Sequence, residues 1–160
     1  TSAITAGWPA AEAALQLAPV ALAGEQAGGA RRMFEKTVDY AKTRIQFGRA
    51  IGSFQAIKHM AADLLIEVES ATSAARAAAV ALDAAGEGSN EPADVAVHLA
   101  AFACADAYTT VTATAVQMHG GIAFTWEHPA HLYLRRARAQ AQLFGAPAYH
   151  RERFLTALGA

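Results

Sequence analysis

Two short runs, Arg44-Ile45-Gln46-Phe47-Gly48 and Gln117-Met118-His119-Gly120-Gly121, gather residue types from which a site for a phosphorylated ligand can be built. Arg44 offers a planar fork of donors that matches a pyrophosphate, Gln46 adds a side-chain amide, and Phe47 can lie against an apolar surface of the same ligand. The product is an anion site with an apolar wall. In the second run Gly120 and Gly121 let a backbone approach a flat or bulky ligand with no β-carbon in the way, and Gln117 can reach that ligand as well. Taken singly, each run has a plainer reading: a helix end with a solvated arginine, and a glycine C-cap.

Other reactive residue types carry less. His128 and His131 stand three apart, but His128 precedes Pro129 and so falls outside a helix, and no further Cys or His completes a metal set. No metal is expected. Arg135, Arg136 and Arg138 read as a solvated or subunit-contacting face, and Cys104, inside an apolar run, reads as core.

The elements that must position these residues are helices. More than a quarter of the residues are alanine, the strongest helix former, and 54% are hydrophobic. After a weakly structured lead over 1–9, a helix starts near Ala10; Pro19 predicts a break or kink before a long helix from about Ala18 to Thr43. Gly24 and Gly28 share a face of that helix and suggest close approach by another. Ser53 is placed to cap the next helix, in which Phe54, Ile57, Ala61, Leu64, Val68, Ala71, Ala75, Ala78 and Leu82 recur every three or four residues. That helix runs to about Ala85 and a loop over 86–90. Pro92 opens an apolar helix from about Ala93 to His119, ended by Gly120 and Gly121, and Pro129 and Pro147 begin helices over about Ala130–Leu143 and Ala148–Leu158. The expected fold is an all-α bundle of four long helices and a short C-terminal one, a single domain over 10–160, with no strand signal.

The net charge of −1 and pI of 6.6 supply no basic field for nucleic acid or an anionic membrane. Cys104 is alone, no long uncharged apolar run reads as a membrane span, and no signal segment is visible, so a soluble, reducing, cytoplasmic setting is expected. The start at Thr1 suggests a piece of a longer chain.

The stretch from Arg44 to Gln55, Arg-Ile-Gln-Phe-Gly-Arg-Ala-Ile-Gly-Ser-Phe-Gln, followed by Ala56-Ile57-Lys58-His59, resembles the junction of the first two C-terminal helices of acyl-CoA dehydrogenases. Gln117 to Gly121, then Phe124, Glu127, Pro129 and Leu134-Arg135, resemble that family's second flavin segment at the proper separation. The resemblance implies an FAD shared with a neighbouring subunit, contacted by Arg44, Gln46, Phe47, Phe54, Gln55, Gln117, Gly120 and Gly121, with the ADP portion held here. It also implies a structural part for Glu127.

The same resemblance implies a base. These enzymes take the substrate's α-proton with a glutamate while the flavin takes the β-hydride. Counting on from Gln117 to that glutamate's usual position lands on Phe144, which accepts no proton, and the alternative position on the first long helix falls on Ala18. The substrate-side Asp-x-x-Arg falls on Gln16 and Pro19, and the nearest acids, Glu12 and Glu25, lie well to either side. A subunit without a catalytic residue follows, one that handles acyl-CoA, of steroid or lipid type, through an oligomer with a homologous glutamate-bearing subunit. The alternatives are a purely structural assembly module with relic motifs, and another flavoenzyme, an oxidase or monooxygenase, on the same fold.

Overall fold

The computed structural model of the chain describes residues 2–86 and 93–159. Five α-helices account for most of them: α1 (Ser2–Thr43), α2 (Gln55–Gly86), α3 (Asp94–His119), α4 (Ala130–Gln140) and α5 (Pro147–Ala157). The all-α expectation holds in its main lines. Three helices are long, whereas α4 stops at Gln140 and matches α5 at 11 residues. The sequence shows no strand, yet Ile45–Gln46 (β1) and Arg49–Ala50 (β2) form a two-residue antiparallel ladder between α1 and α2.

Helix α3 lies at the centre and packs against α1, α2, α4 and α5. By length and composition the stretch 94–124 could cross a membrane, although the sequence offers no long uncharged apolar run that reads as a span. Four packed helices account for that apolar character, and half of the most apolar window is buried among them. The core has two parts. Met33, Leu64, Val68, Tyr108, Val111 and Met118 fill the end nearer Gly120 with larger side chains, while Ala23, Ala27, Ala71, Ala78, Ala100 and Ala107 bring backbones close at the other end. The stripe expected on α2 is the buried one, with Leu64, Val68, Ala71, Ala75 and Ala78 inside.

Three local expectations fail for physical reasons. Helix α1 is continuous from Ser2 through Pro19, so neither the lead over 1–9 nor the break appears. Pro19 is buried against α3 and α5, and this packing offsets the roughly 3 kcal/mol that an interior proline costs. Ser53 closes a 3-10 turn (Ile51–Ser53) and does not cap α2, whose first accepting carbonyl is that of Phe54, 3.2 Å from the Lys58 nitrogen. A β-carbon on Gly24 or Gly28 would meet nothing within 4 Å, whereas one on Gly29 would lie 2.7 Å from the Tyr108 ring. The close approach is therefore at Gly29. The expected loop over 87–90 and the opening at Pro92 lie outside the described residues. Pro147 does open α5, after Ala146.

Candidate functional site

At one end of the bundle the Arg44 nitrogen still bonds the carbonyl of Tyr40 at 2.8 Å, and the chain then turns through the β1–β2 hairpin. Its two central residues, Phe47 and Gly48, have φ of 53° and 77°, as a primed two-residue turn requires. The turn pushes Phe47 outward, 90% exposed. The Arg49 guanidinium lies 3.9 Å from the centroid of Phe54, and Phe47 meets Phe54 edge to face at 6.1 Å. Gln55 is exposed, with its amide 3.4 Å from His59 Nε2. Arg44 and Gln46 are exposed too, and among the described residues no carboxylate pairs with Arg44.

Helix α3 delivers the second run to the same end. His119 is buried, stacks on Tyr40 at 4.4 Å between centroids and lies 4.2 Å from the ring of His128. Tyr40 precedes Arg44 by one turn and His119 follows Gln117 by two residues, so this stack ties the two runs together. His119 Nδ1 donates to the Ala115 carbonyl at 2.7 Å, which leaves Nε2 as a buried lone pair without a partner. Burial lowers the pKa of His119 and of His128, and both rings are kept neutral. Gln117, Gly120 and Gly121 are exposed. Gly120 takes a φ of 65°, and a β-carbon on either glycine would project into open space, room that a ligand can use.

A second feature lies elsewhere on the bundle. Ala18, Ala21 and Leu22 of α1 face Leu132 of α4 and Leu143 and Phe144 beyond it across a cleft of about 820 Å³. Phe144 has a φ of 57° and is half-exposed. Glu25 is the acid in this wall, and the Arg136 guanidinium grips it with Nε at 2.6 Å and a second, shorter bond. That hydrogen bond is the main reason its carboxyl sits below the usual carboxylate range. Glu25 is thus held ionised and occupied. Ala18 and Thr43 are roughly 38 Å apart along α1 at 1.5 Å per residue, so the cleft and the Arg44 end are separate places.

Comparison with known proteins gives the family. Residues 5–158 match the family described as acyl-CoA dehydrogenase, C-terminal domain. The chain belongs to that family. Acyl-CoA dehydrogenases are FAD flavoproteins, and the exposed arginine, the two amides and the open glycine backbone fit a dinucleotide at the Arg44 end. Acyl-CoA dehydrogenase IpdE2 of Mycobacterium tuberculosis is 46% identical over 130 residues, 81% of this chain and 38% of the relative's length. Two solved structures, a Tcur3481–Tcur3483 steroid acyl-CoA dehydrogenase and the ChsE4–ChsE5 complex from Mycobacterium tuberculosis, superpose with TM-scores of 0.76 and 0.77 at 30% and 32% identity. Each match covers 91% of this chain, and 39% and 38% of the respective structure. The chain therefore spans less than half of each of these relatives.

Within the acyl-CoA dehydrogenase domain, the residues singled out in sequence fall into two groups. Arg44, Gln46, Phe47, Phe54, Gln55, Gln117, Gly120 and Gly121 lie at one end, while Ala18 and Phe144, the two positions on which the resemblance puts a base, share one cleft. Gln16 is exposed and Pro19 buried, and neither lines the cleft; the side chain of Glu12 lies outside the described residues. Arg136 is not simply part of a solvated basic face, since it reaches Glu25 across the α1–α4 contact. Glu127 is exposed, with its backbone nitrogen on Thr125 Oγ1 at 3.3 Å. His128 lies outside α4, as Pro129 requires, and among the described residues no group of three metal-ligating side chains is gathered. The Tyr40–His119–His128 stack and the Glu25–Arg136 pair were missed. Only the adjacency of His119 to Gly120 could have hinted at the first.

Proposed function

We propose that this chain is the FAD-contacting and oligomerising C-terminal domain of an acyl-CoA dehydrogenase subunit that lacks the catalytic glutamate. The subunit works beside a homologous one, in the cytoplasm, in the α,β-desaturation of acyl-CoA thioesters of steroid or lipid type. The observation that carries this reading is the cleft: both base positions, Ala18 and Phe144, open into it, and Glu25, its one acid among the described residues, is taken by Arg136. Abstraction of an α-proton needs a free carboxylate near the substrate, and the described residues of this cleft offer none. On this reading the glutamate comes from a partner. Two features favour a partner of the same family: relatives that form the ChsE4–ChsE5 and Tcur3481–Tcur3483 pairs, and the roughly 38 Å along α1 between Ala18 in the cleft and the Arg44 end.

FAD, when bound, supplies acceptance of the β-hydride. Toward it Arg44 would hold the pyrophosphate, Gln46 and Gln117 would orient it by amide hydrogen bonds, and Phe47 would shield one side from water. The test is to purify the full-length parent alone and with its glutamate-bearing homologue. The complex should carry FAD and dehydrogenate an acyl-CoA, and the parent alone should not. Arg44→Ala should weaken FAD retention by roughly 1.5 to 3 kcal/mol, the scale of one hydrogen bond to a charged group. Phe144→Glu alone should not restore turnover, because Gln16 and Pro19 leave the substrate side unbuilt. Turnover by the partner-free parent, unaffected by loss of the partner's glutamate in the complex, refutes the reading. FAD absent from the complex, with no effect of Arg44→Ala, assigns the domain to assembly alone.

A further inference from the structure

Behind the Phe144 wall of the cleft, the side chains of His98 on α3 and His150 on α5 meet with Nδ1 atoms 2.9 Å apart. His150 is 3% exposed, and its Nε2 lies 3.1 Å from the carbonyl of Phe144. A carbonyl only accepts, so Nε2 of His150 carries the proton and donates. In the neutral ring Nδ1 is then a lone pair, and the proton between the two histidines belongs to His98 Nδ1. The chain of donation runs from His98 through His150 to the backbone of Phe144. That backbone needs holding: Phe144 sits at a φ of 57°, which a bulky residue rarely adopts, and Gly145 follows at 117°. A β-carbon on Gly145 would lie 2.6 Å from the Tyr149 ring and 2.9 Å from His150 Nε2, so the loop is pressed directly onto the pair.

We propose that His98 and His150 form a proton-sensitive latch that fixes the Phe144 wall of the cleft. The inference stands whether or not the subunit is catalytic, since it concerns only how the wall is held.

The two rings respond differently to a proton. Protonation of His98 at Nε2 leaves its Nδ1 donor in place. Protonation of His150 at Nδ1 is tolerated only if His98 shifts its own proton to Nε2 and turns Nδ1 into the acceptor; once both rings are charged, two N–H groups face each other across the contact and the latch breaks. Burial lowers the pKa of both rings, and the neighbouring charges divide: Asp94, one turn before His98, favours its charged form, and Arg153 opposes it. Tyr149 lays its ring against both histidines. The other residues around His150, namely Pro19, Leu22 and Gln26 of α1, Ala101 and Ala105 of α3 and Gln140 of α4, bring no titratable group. Because the latched form resists the second proton, the latch is intact above about pH 6.5 and is lost as pH falls through the lowered folded values.

The test uses NMR on this chain. At about pH 7.5 the imidazole nitrogens should report His150 as the Nε2–H tautomer and His98 as the Nδ1–H tautomer. Amide exchange at Gln142, Leu143 and His150, corrected for its intrinsic pH dependence, should speed up by as much as roughly tenfold on going to about pH 5.5, the limit for one imidazole titrating near 6.5. His150→Gln, which keeps a donor for the Phe144 carbonyl but cannot titrate, should abolish that change, and so should His98→Asn, whose amide can turn either a donor or an acceptor toward His150. Reversed tautomers, exchange that ignores pH, or an unchanged pH response in His150→Gln each overturn the proposal. The tautomers are read on the unmodified protein, so the test does not depend on any variant folding.

Discussion

Three glycines of α1 test how its interior is packed, because the same substitution should act with opposite signs. Alanine in place of a helical glycine gains about 0.5 to 1 kcal/mol from propensity and a less flexible unfolded chain. At Gly24 and Gly28 nothing stands within 4 Å of the new β-carbon, so Gly24→Ala and Gly28→Ala should each realise that gain. At Gly29 the β-carbon would lie 2.7 Å from Cζ and 2.9 Å from Cε2 and Oη of Tyr108, whose side chain is buried and cannot swing into solvent. Overpacking of this kind costs about 1 to 3 kcal/mol, which exceeds the propensity term. Gly29→Ala should therefore be destabilising by about 1 kcal/mol, leaving a gap of roughly 2 kcal/mol from Gly24→Ala. In a chain of this size that gap corresponds to roughly 4 to 8 °C in melting temperature. Urea denaturation of the three variants measures it directly, and repeating the Gly29 and Gly24 pair in a Tyr108→Leu background should close most of it. If Gly29→Ala stabilises as much as Gly24→Ala, the account of the α1–α3 contact is wrong.

Burial raises the Cys104 thiol to about 12, so at about pH 8 only roughly one part in ten thousand is thiolate; an alkylating reagent should leave it intact in the native chain and modify it once urea unfolds the bundle. The buried rings of His119 and His150 and the half-buried rings of His98 and His128 all have pKa values lowered from the usual 6.5, chiefly by burial, so the folded state binds fewer protons than the unfolded one. Their contribution to stability is whole above about pH 6.5 and is lost as pH falls toward the lower folded values; a urea midpoint that does not drop between about pH 7.5 and about pH 5.5 contradicts this. Phe47→Asn should stabilise the chain by up to about 1 kcal/mol, since asparagine suits the first position of a primed turn, yet it should weaken FAD retention in the complex. A variant that gains in both measurements would show that Phe47 has no ligand to face.

What the sequence makes legible here is whatever repeats locally. The α2 stripe from Leu64 to Ala78 recurs every three or four residues, and Pro147 marks a helix start that any neighbour would accept. Pro19 misleads because its penalty is local, whereas the packing that overrides it comes from α3 and α5, far along the chain. Gly24 and Gly28 share a face, but only the position of Tyr108 decides which glycine is crowded. The eight residues at the Arg44 end are legible as motifs, and their shared location follows from the Tyr40–His119 stack, which no spacing announces. The meeting of Ala18 with Phe144 and the grip of Arg136 on Glu25 depend on how α4 docks against α1, a contact between residues 111 positions apart. The hairpin escapes because Phe47 is not a residue that normally signals a primed turn.

The central place of α3 also bears on how the chain is made. A helix apolar enough to pass for a membrane span is a hazard while it is naked, attractive to chaperones and to insertion machinery alike. It follows α1 and α2 in the chain, so those two helices have already emerged when it leaves the ribosome, and they supply most of its shelter. The order of the gene thus delivers the cover before the liability. A circular permutant that began at Asp94 would reverse that order, and could reach the same native bundle by refolding in a test tube while faring badly during synthesis.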